Sequence, residues 1–218
     1  MDGNRRWAKA RGLDVGSWHE EGARNVERVI DLCLAAKVDV ASFWALAYRN
    51  LLERSKLELA AIFAILENHL PEMVAKMVAR GVRFDWCGDA SILPKSTVAA
   101  LESAVAASAQ GKNMTCVLAI GYGGRREIVL AAQKLLREGA DPDALTEASF
   151  GAALDTGRFP APDLIVRTGG DVRHSGYFLY ASEYSEYHFT DALWPDFGEA
   201  EFAAALGSYQ KSRRNFGK

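Results

Sequence analysis

Apolar residues recur at helical spacing in several parts of the chain. In residues 19–37, Val26, Val29, Ile30 and Cys33 share one face and charged residues occupy the other, which predicts an amphipathic helix. Residues 57–70 are apolar over more than one stripe, which predicts a helix that is deeply buried or that lines an apolar cavity. Pro71 is expected to bend this helix or to begin its continuation to residue 80. The remaining predicted helices are 94–107, 125–137 and about 199–209.

Short runs rich in β-branched and aromatic residues separate these helices and predict strands. The predicted strands are 38–46, 82–86, 114–120, 163–166 and 177–180. Alternating strands and helices predict an α/β fold, with a mainly parallel central sheet flanked by helices, in a single domain of residues 1–218. The chain opens on the turn Asp2-Gly3-Asn4, which such a fold places after a strand, so a first strand is expected to be missing or to precede the start.

Charge and hydropathy exclude two classes of protein. The chain has 28 acidic and 26 basic residues, so it lacks the basic field of a general nucleic-acid binder. No apolar run approaches the roughly 20 residues of a membrane span, and the start resembles no signal peptide, which predicts a cytoplasmic protein. Cys33, Cys87 and Cys116 fit neither a disulfide framework nor a metal site and are expected to be buried thiols.

Two segments offer anion-binding chemistry at positions where strands are expected to meet helices. The first is the run Asp2 to Trp7, where a glycine precedes two arginines. The second is the run Arg167 to Ser175, which places two arginines and two hydroxyls around a pair of glycines and follows a predicted strand. A diphosphate requires such a set of donors. A solvated basic turn and a salt-bridged loop are the structural alternatives.

Other residues raise metal and cofactor hypotheses. Glu186 stands among aromatic residues, where a carboxylate is costly unless it is paired or binds a metal, and together with Asp2 it could hold Mg²⁺. The run GYGGRR at 121–126 suggests a dinucleotide site, but it lacks the GxGxxG spacing, and a helix-capping turn explains its glycines equally well. His174 and His188 suggest zinc, yet no third ligand is evident, which favours loop or packing roles.

Taken together, these segments resemble the cis-prenyltransferase family, which includes undecaprenyl diphosphate synthase. The matching motifs run in order along nearly the whole chain: MDGNRRWAKARG, HEEGARN, YGGRREI, PDLIVRTGGDVRHSGYFLY, EYSEYHF and LWPDF. The resemblance implies Mg²⁺-dependent condensation, in cis, of isopentenyl diphosphate with an allylic diphosphate such as farnesyl diphosphate. It also implies an apolar product tunnel, a homodimer and transient contact with a membrane surface for product release.

The resemblance assigns roles residue by residue. Asp2 and Asn50 are implied to be catalytic, and Asp2 and Glu186 to bind the metal. The implied substrate-binding residues near the start are Gly3, Asn4, Arg5, Arg6, Trp7 and His19, which are similar to the family's allylic-diphosphate segment. Those implied for isopentenyl diphosphate are Arg167, Arg173, His174 and Ser175, and Arg54 matches a basic residue that follows the family's SxEN motif.

The chain departs from the family pattern at several positions. The family's Ser-x-Glu-Asn-Trp is replaced by the sequence AYRNL at 47–51, with one extra residue before Arg54. Further departures are Val15, Asp171, Gly176, Tyr180 and Asn215. Two alternatives therefore stay open: a catalytically silent subunit of a heteromeric prenyltransferase, or an enzyme that makes a short or irregular product. The retention of Asp2, Arg167, Arg173 and Ser175 argues against the silent subunit.

Overall fold

The structure is a computed structural model that describes residues 1–13 and 15–212, with side chains described for 1–13 and 20–212. Within these ranges, no helix combines the length and the apolar character needed to cross a bilayer. The chain divides into two compact units. Unit 1 comprises Met1–Leu32, Pro162–Arg173 and Tyr184–Lys218, and unit 2 comprises Cys33–Ala161 and His174–Glu183.

Helices and strands are interspersed along the described chain. The helices are α1 (Asn4–Ala10), α2 (Val15–Ala35), α3 (Tyr48–Glu53), α4 (Lys56–Ala79), α5 (Lys95–Ser108), α6 (Gly124–Arg137), α7 (Glu147–Ala153) and α8 (Glu199–Lys211). The strands are β1 (Val40–Ala47), β2 (Val82–Cys87), β3 (Met114–Tyr122), β4 (Leu164–Arg167) and β5 (Glu186–Phe189). Short 3₁₀ turns occur at Ala90–Ile92, Pro142–Ala144, Asp155–Arg158 and Trp194–Asp196.

The strands form two parallel sheets. The sheet of unit 2 has three strands in the order β1-β3-β2, and in unit 1 β4 pairs with β5. The central strand β3 is buried at all but one of its nine residues, as expected for a parallel strand that has helices on both faces. The predicted α/β class with parallel pairing is confirmed, although the strands form two sheets in separate units.

Two predicted features of the helices and cysteines are confirmed. Helix α4 continues through Pro71 to Ala79. Cys33, Cys87 and Cys116 are free, buried thiols. Burial raises the pKa of Cys33 to about 12, so this thiol stays protonated and unreactive at neutral pH.

The prediction of a strand at 177–180 is wrong, because these residues form a turn. Phe178 has a left-handed φ of 47°, and its carbonyl accepts a hydrogen bond from Ser182 N at 2.9 Å. The aromatic residues that suggested a strand instead fill the core of unit 2. Tyr177 stacks on Trp44 with ring centroids 4.9 Å apart, and Phe178 is 3% exposed.

The opening turn of the chain leads directly into helix α1, which the sequence did not predict. Gly3 caps the helix with φ 105°, and a Cβ at this position would lie 2.8 Å from Leu193 Cδ2. A glycine is therefore required here both by the backbone conformation and by the close approach of Leu193.

Candidate active site

Asp2 and Arg167 form the centre of the candidate site in unit 1. Arg167 ends strand β4, and its Nε and Nη2 lie 3.0 Å and 2.8 Å from Asp2 Oδ2. Thr168 fixes the backbone of Asp2, because its hydroxyl accepts from Asp2 N at 2.8 Å and donates to Asp2 O at 2.9 Å. The sequence analysis missed this role of Thr168, for which the only signal was its place between the candidate residues Arg167 and Gly169.

The loop that follows β4 closes around Arg167. Its Nη2 lies 3.5 Å from Asp171, and its Nη1 donates to the carbonyl of Arg173. Asp171 in turn pairs with Arg173 at 2.6 Å. The side chain of Arg167 is 16% exposed whereas that of Arg173 is 62% exposed, so Arg173 is the more accessible to an incoming anion.

Arg6 joins the same cluster through the glycine pair of this loop. Its Nη2 donates to Gly169 O at 2.6 Å. Gly169 has φ 86°, and a Cβ there would lie 2.7 Å from Arg6 Nη2 and 3.1 Å from the Cβ of Asp2. The structure thus brings together four residues that the sequence analysis had placed in the site: Asp2, Arg6, Arg167 and Arg173.

Other predicted residues near the start of the chain have local partners. Asn4 Nδ2 donates to Met1 O at 3.2 Å, while its buried Oδ1 has no partner among the described residues. Trp7 Nε1 donates to Asp196 Oδ1 at 2.7 Å, and the guanidinium of Arg11 lies 4.3 Å from the centre of the Trp7 ring. Arg5 is exposed. Substrate contacts by these residues stay predictions.

Glu186 lies at the opposite end of the β4–β5 ladder from Arg167. Glu186 pairs with Leu164, whereas Arg167 pairs with Phe189. Three residues of strand separate the two backbone positions, roughly 10 Å at about 3.3 Å per residue. Metal binding by Glu186 stays a prediction. The side chains of His19 and Val15 and the C-terminal residue Asn215 lie outside the described residues.

The altered SxEN segment forms helix α3 in unit 2. Asn50 lies in α3 and is partly exposed, and its carbonyl accepts a capping hydrogen bond from Arg54 N at 3.0 Å. The Arg54 side chain pairs with Glu58 at 3.4 Å. Tyr48 lies under the guanidinium of Arg126 at 5.4 Å. The segment that departs from the family is therefore a helix supported by a cation–π contact.

His174 and Ser175 lie in the turn that precedes the aromatic residues of unit 2. His174 Nδ1 accepts from Gly176 N at 2.9 Å, and its Nε2 lies 2.9 Å from Ser182 Oγ. Burial lowers the pKa of His174. Ser175 has a left-handed φ of 56°.

The GYGGRR turn is packed against protein. Gly124 N, at the start of α6, donates to Gly176 O at 3.0 Å, and a Cβ on Gly124 would lie 2.3 Å from Leu179 Cβ. Arg126 pairs with the buried Asp89 at 2.8 Å. These contacts support the helix-capping interpretation over a dinucleotide site.

A polar network that the sequence analysis missed lies in the wall of a cavity of about 410 Å³ beside this turn. The buried carboxylate of Glu127 accepts from Tyr122 Oη and from Thr156 N, both at 2.7 Å. Every oxygen of this carboxylate therefore has a partner within the protein, and the network serves to join β3, α6 and the turn after α7.

The chemistry of the Asp2 carboxylate fits Mg²⁺. Both contacts of Arg167 are to Oδ2, and Oδ1 accepts no hydrogen bond from the described residues. The side chain is 45% exposed. In residues 1–13 and 20–212, no group of three or more His, Cys, Asp or Glu side chains gathers to hold a metal. Mg²⁺ sites commonly combine one or two carboxylates with water and substrate phosphates, and Asp2 offers such a ligand.

The chain is similar over its full length to known isoprenoid synthases. The prenyltransferase family model described as undecaprenyl diphosphate synthase matches residues 1–217. Isoprenyl transferase of Aquifex aeolicus is 36% identical over 218 residues, covering 100% of this chain and 93% of the relative. Isoprenyl transferase of Bacillus subtilis is 38% identical over 221 residues, covering 100% and 85%. The crystal structure of lavandulyl diphosphate synthase from Lavandula x intermedia, in complex with dimethylallyl diphosphate, has a TM-score of 0.94 and 37% identity, covering 100% of this chain and 95% of that one.

Proposed function

The chain belongs to the undecaprenyl diphosphate synthase family of cis-prenyltransferases, and we propose that the cluster around Asp2 and Arg167 is its active site, at which an allylic diphosphate is condensed in cis with isopentenyl diphosphate. The observation that carries this proposal is the double contact of Arg167 with one oxygen of Asp2, which holds the carboxylate and leaves its other oxygen available. In this reaction a carbon–carbon bond forms between the allylic group and isopentenyl diphosphate, diphosphate leaves the allylic substrate as its C–O bond breaks, and the isopentenyl unit loses a proton.

Arg167 and Arg173 of the cluster have different roles. Arg167 is largely buried and holds Asp2, so its role is to fix the site. The side chain of Arg173 is exposed and pairs with the partly exposed Asp171. Its guanidinium can therefore bind the diphosphate of isopentenyl diphosphate through charge-assisted hydrogen bonds.

Mg²⁺ is the metal that we propose for this site, held by Asp2 and, on the family resemblance, by Glu186. When bound, the ion supplies neutralisation of the charge on the leaving diphosphate. The chain's part is to keep the Asp2 carboxylate in place: Arg167 binds Oδ2, and Thr168 binds the backbone. Asn50 carries no basic group, so we propose that it orients isopentenyl diphosphate for proton loss.

An apolar tunnel for the product is proposed along helix α4. Phe43 and Leu46 of strand β1 are buried core residues at 5% and 2% exposure. Ile62 and Leu66 of α4 are only partly buried and so remain accessible to a ligand. Burial of each added CH₂ group away from water is favourable by about 0.8 kcal/mol, which supports retention of the growing prenyl chain.

A short or irregular product is the second candidate. It is favoured by the TM-score of 0.94 with lavandulyl diphosphate synthase and by the altered SxEN segment, which forms helix α3. The family resemblance also supports a cytoplasmic homodimer that contacts membranes only to release product.

The test is an assay of the purified chain with labelled isopentenyl diphosphate and a panel of dimethylallyl, geranyl and farnesyl diphosphates. The products are dephosphorylated, sized by chromatography and examined by NMR for double-bond geometry and branching. The proposal predicts Mg²⁺-dependent incorporation that gives Z double bonds. Branched products would identify the second candidate. Absence of incorporation with every starter would overturn the proposal and support the silent subunit, and full turnover in excess EDTA would exclude the metal role.

A further inference from the structure

The turn that carries Ser175 has backbone φ angles that are unfavourable for residues with a side chain. Ser175 and Gly176 have φ values of 56° and 89°, and Phe178 has φ 47°. The left-handed region is uncommon for residues that carry a Cβ. Surrounding contacts must therefore hold Ser175 and Phe178 in this conformation.

His174 supplies two of these contacts with its imidazole. Nδ1 accepts from Gly176 N at 2.9 Å, so the ring proton of the neutral tautomer lies on Nε2 and is donated to Ser182 Oγ at 2.9 Å. The first contact bridges a side chain and the N–H two residues later, as in the turns that Asn and Asp form. Burial lowers the pKa of His174, which favours this neutral ring.

Other contacts hold the far side of the turn. Gly176 O accepts from Gly124 N at 3.0 Å, and a Cβ on Gly124 would lie 2.5 Å from that oxygen. Phe178 is 3% exposed in the core cluster of unit 2. These contacts fix residues 176 and 178. The two hydrogen bonds of the His174 ring, which we call the clasp, add a restraint directly beside Ser175.

We propose that His174 is a positioning residue for the prenyl transfer reaction: its ring clasps the turn, holds Ser175 in the conformation that binds isopentenyl diphosphate, and does not itself contact the substrate. This inference rests on the proposed function and takes Ser175 as a ligand of isopentenyl diphosphate, the role that the family resemblance implies. Both ring nitrogens bond within the turn, so binding a diphosphate would require the ring to release Gly176 or Ser182.

Two substitutions at position 174 distinguish a positioning role of the His174 ring from direct binding of the substrate. His174→Leu removes both hydrogen bonds, whereas His174→Asn keeps a side-chain acceptor in reach of Gly176 N. In His174→Leu, loss of the bond to Gly176 N is expected to raise the KM for isopentenyl diphosphate by about tenfold. His174→Asn should restore the KM to within about threefold of wild type, because the bond to Gly176 is the one that fixes the backbone beside Ser175. The KM for the allylic diphosphate should stay unchanged in both variants.

Ser175→Ala and Ser182→Ala complete the experiment, with melting temperatures measured for all four variants. Ser175→Ala should raise the KM for isopentenyl diphosphate, and an unchanged KM would overturn the assignment of Ser175 in the proposed function. If Ser175→Ala is impaired while His174→Leu is normal, the clasp is wrong and the proposed function stands. Equal impairment of His174→Leu and His174→Asn would show that the ring itself is needed and would also overturn the clasp. Should His174→Leu fail to fold, His174→Ala replaces it, and an unchanged KM for isopentenyl diphosphate in that variant would refute the clasp. Ser182→Ala removes only the bond to Nε2, so its KM should stay within about threefold of wild type. A rise as large as that of Ser175→Ala would refute the role given to the Gly176 bond.

Discussion

Arg167 contacts Asp2 Oδ2 with two nitrogens, Nε at 3.0 Å and Nη2 at 2.8 Å, and leaves Oδ1 without a described hydrogen bond. One carboxylate oxygen is thus used to fix the side chain, and the other is available to a metal. Because Thr168 also binds the N–H and the carbonyl of Asp2, the position of this carboxylate is set by the end of strand β4.

Arg173→Ala should raise the KM for isopentenyl diphosphate by about tenfold and change the KM for the allylic diphosphate much less. A charge-assisted hydrogen bond contributes about 1.5 kcal/mol or more, and the side chain of Arg173 is 62% exposed and so accessible to a diphosphate. Steady-state kinetics with each substrate varied in turn measure the difference. Arg28→Ala is the control, since Arg28 is similarly exposed in unit 1 and pairs with Glu21. Equal effects on both substrates would refute this division of binding.

Replacing Ile62 or Leu66 by Trp should shorten the product, because both side chains are partly buried on α4 where the tunnel is proposed. Val78→Trp is the control on the same helix, since Val78 is 46% exposed near its end. Chromatography of the dephosphorylated products measures chain length. An unchanged distribution in both variants would place the tunnel elsewhere.

Arg126→Met should lower the free energy of unfolding by about 3 kcal/mol at pH 7, because it leaves the buried Asp89 carboxylate without its cation. Although burial raises the pKa of Asp89, hydrogen bonds from Ser91 and Arg126 lower it more, so the pKa is below its usual value. The carboxylate therefore contributes stability above its unfolded pKa, and this contribution is lost as pH falls through the lowered value.

Without Arg126, the hydrogen bonds from Ser91 remain but the guanidinium no longer lowers the pKa of Asp89, so this pKa should be higher in the variant than in wild type. The stability deficit of the variant should then shrink as pH falls through the range in which Asp89 titrates, because the variant loses less stability on protonation than wild type does. Urea unfolding across this pH range measures the difference. Arg125→Met, one residue away at an exposed position of α6, should change stability little at any pH. A deficit for Arg126→Met that is independent of pH would contradict this account of the ion pair.

Local patterns predicted most of the elements of unit 2. The strand expected at 82–86 ends one residue before β2 does, and the helix expected at 94–107 is shifted by one residue from α5. The agreement is close because β-branched runs and helical spacing are local properties. The prediction of a strand at 177–180 is wrong because Tyr177 and Phe178 are apolar residues that pack in the core and do not form a ladder.

Contacts between residues that are far apart in the sequence could not be predicted from its hydrophobic pattern. Asp2 and Thr168 are 166 positions apart, so their hydrogen bonds could not be predicted by periodicity or turn chemistry. The family resemblance selected Asp2 and Arg167 separately, and the structure shows that they form an ion pair. His174 and Gly176, which form the first bond of the clasp, are close in sequence. A histidine that accepts a hydrogen bond from a nearby backbone N–H nevertheless has no distinctive sequence signal.

The metal role of Asp2 is tested by measuring the kcat of Asp2→Asn as a function of Mg²⁺ concentration, with Asp171→Asn as the matched control. Asp171 is a second carboxylate beside Arg167, and no metal role is proposed for it. Asn keeps the hydrogen-bonding geometry of the turn at position 2, so the melting temperature should change little. If Asp2 binds Mg²⁺, the kcat should fall by roughly a hundredfold or more and the Mg²⁺ requirement should rise, with a much smaller loss in Asp171→Asn. A near wild-type kcat and Mg²⁺ response in Asp2→Asn would show that Asp2 does not hold the catalytic metal.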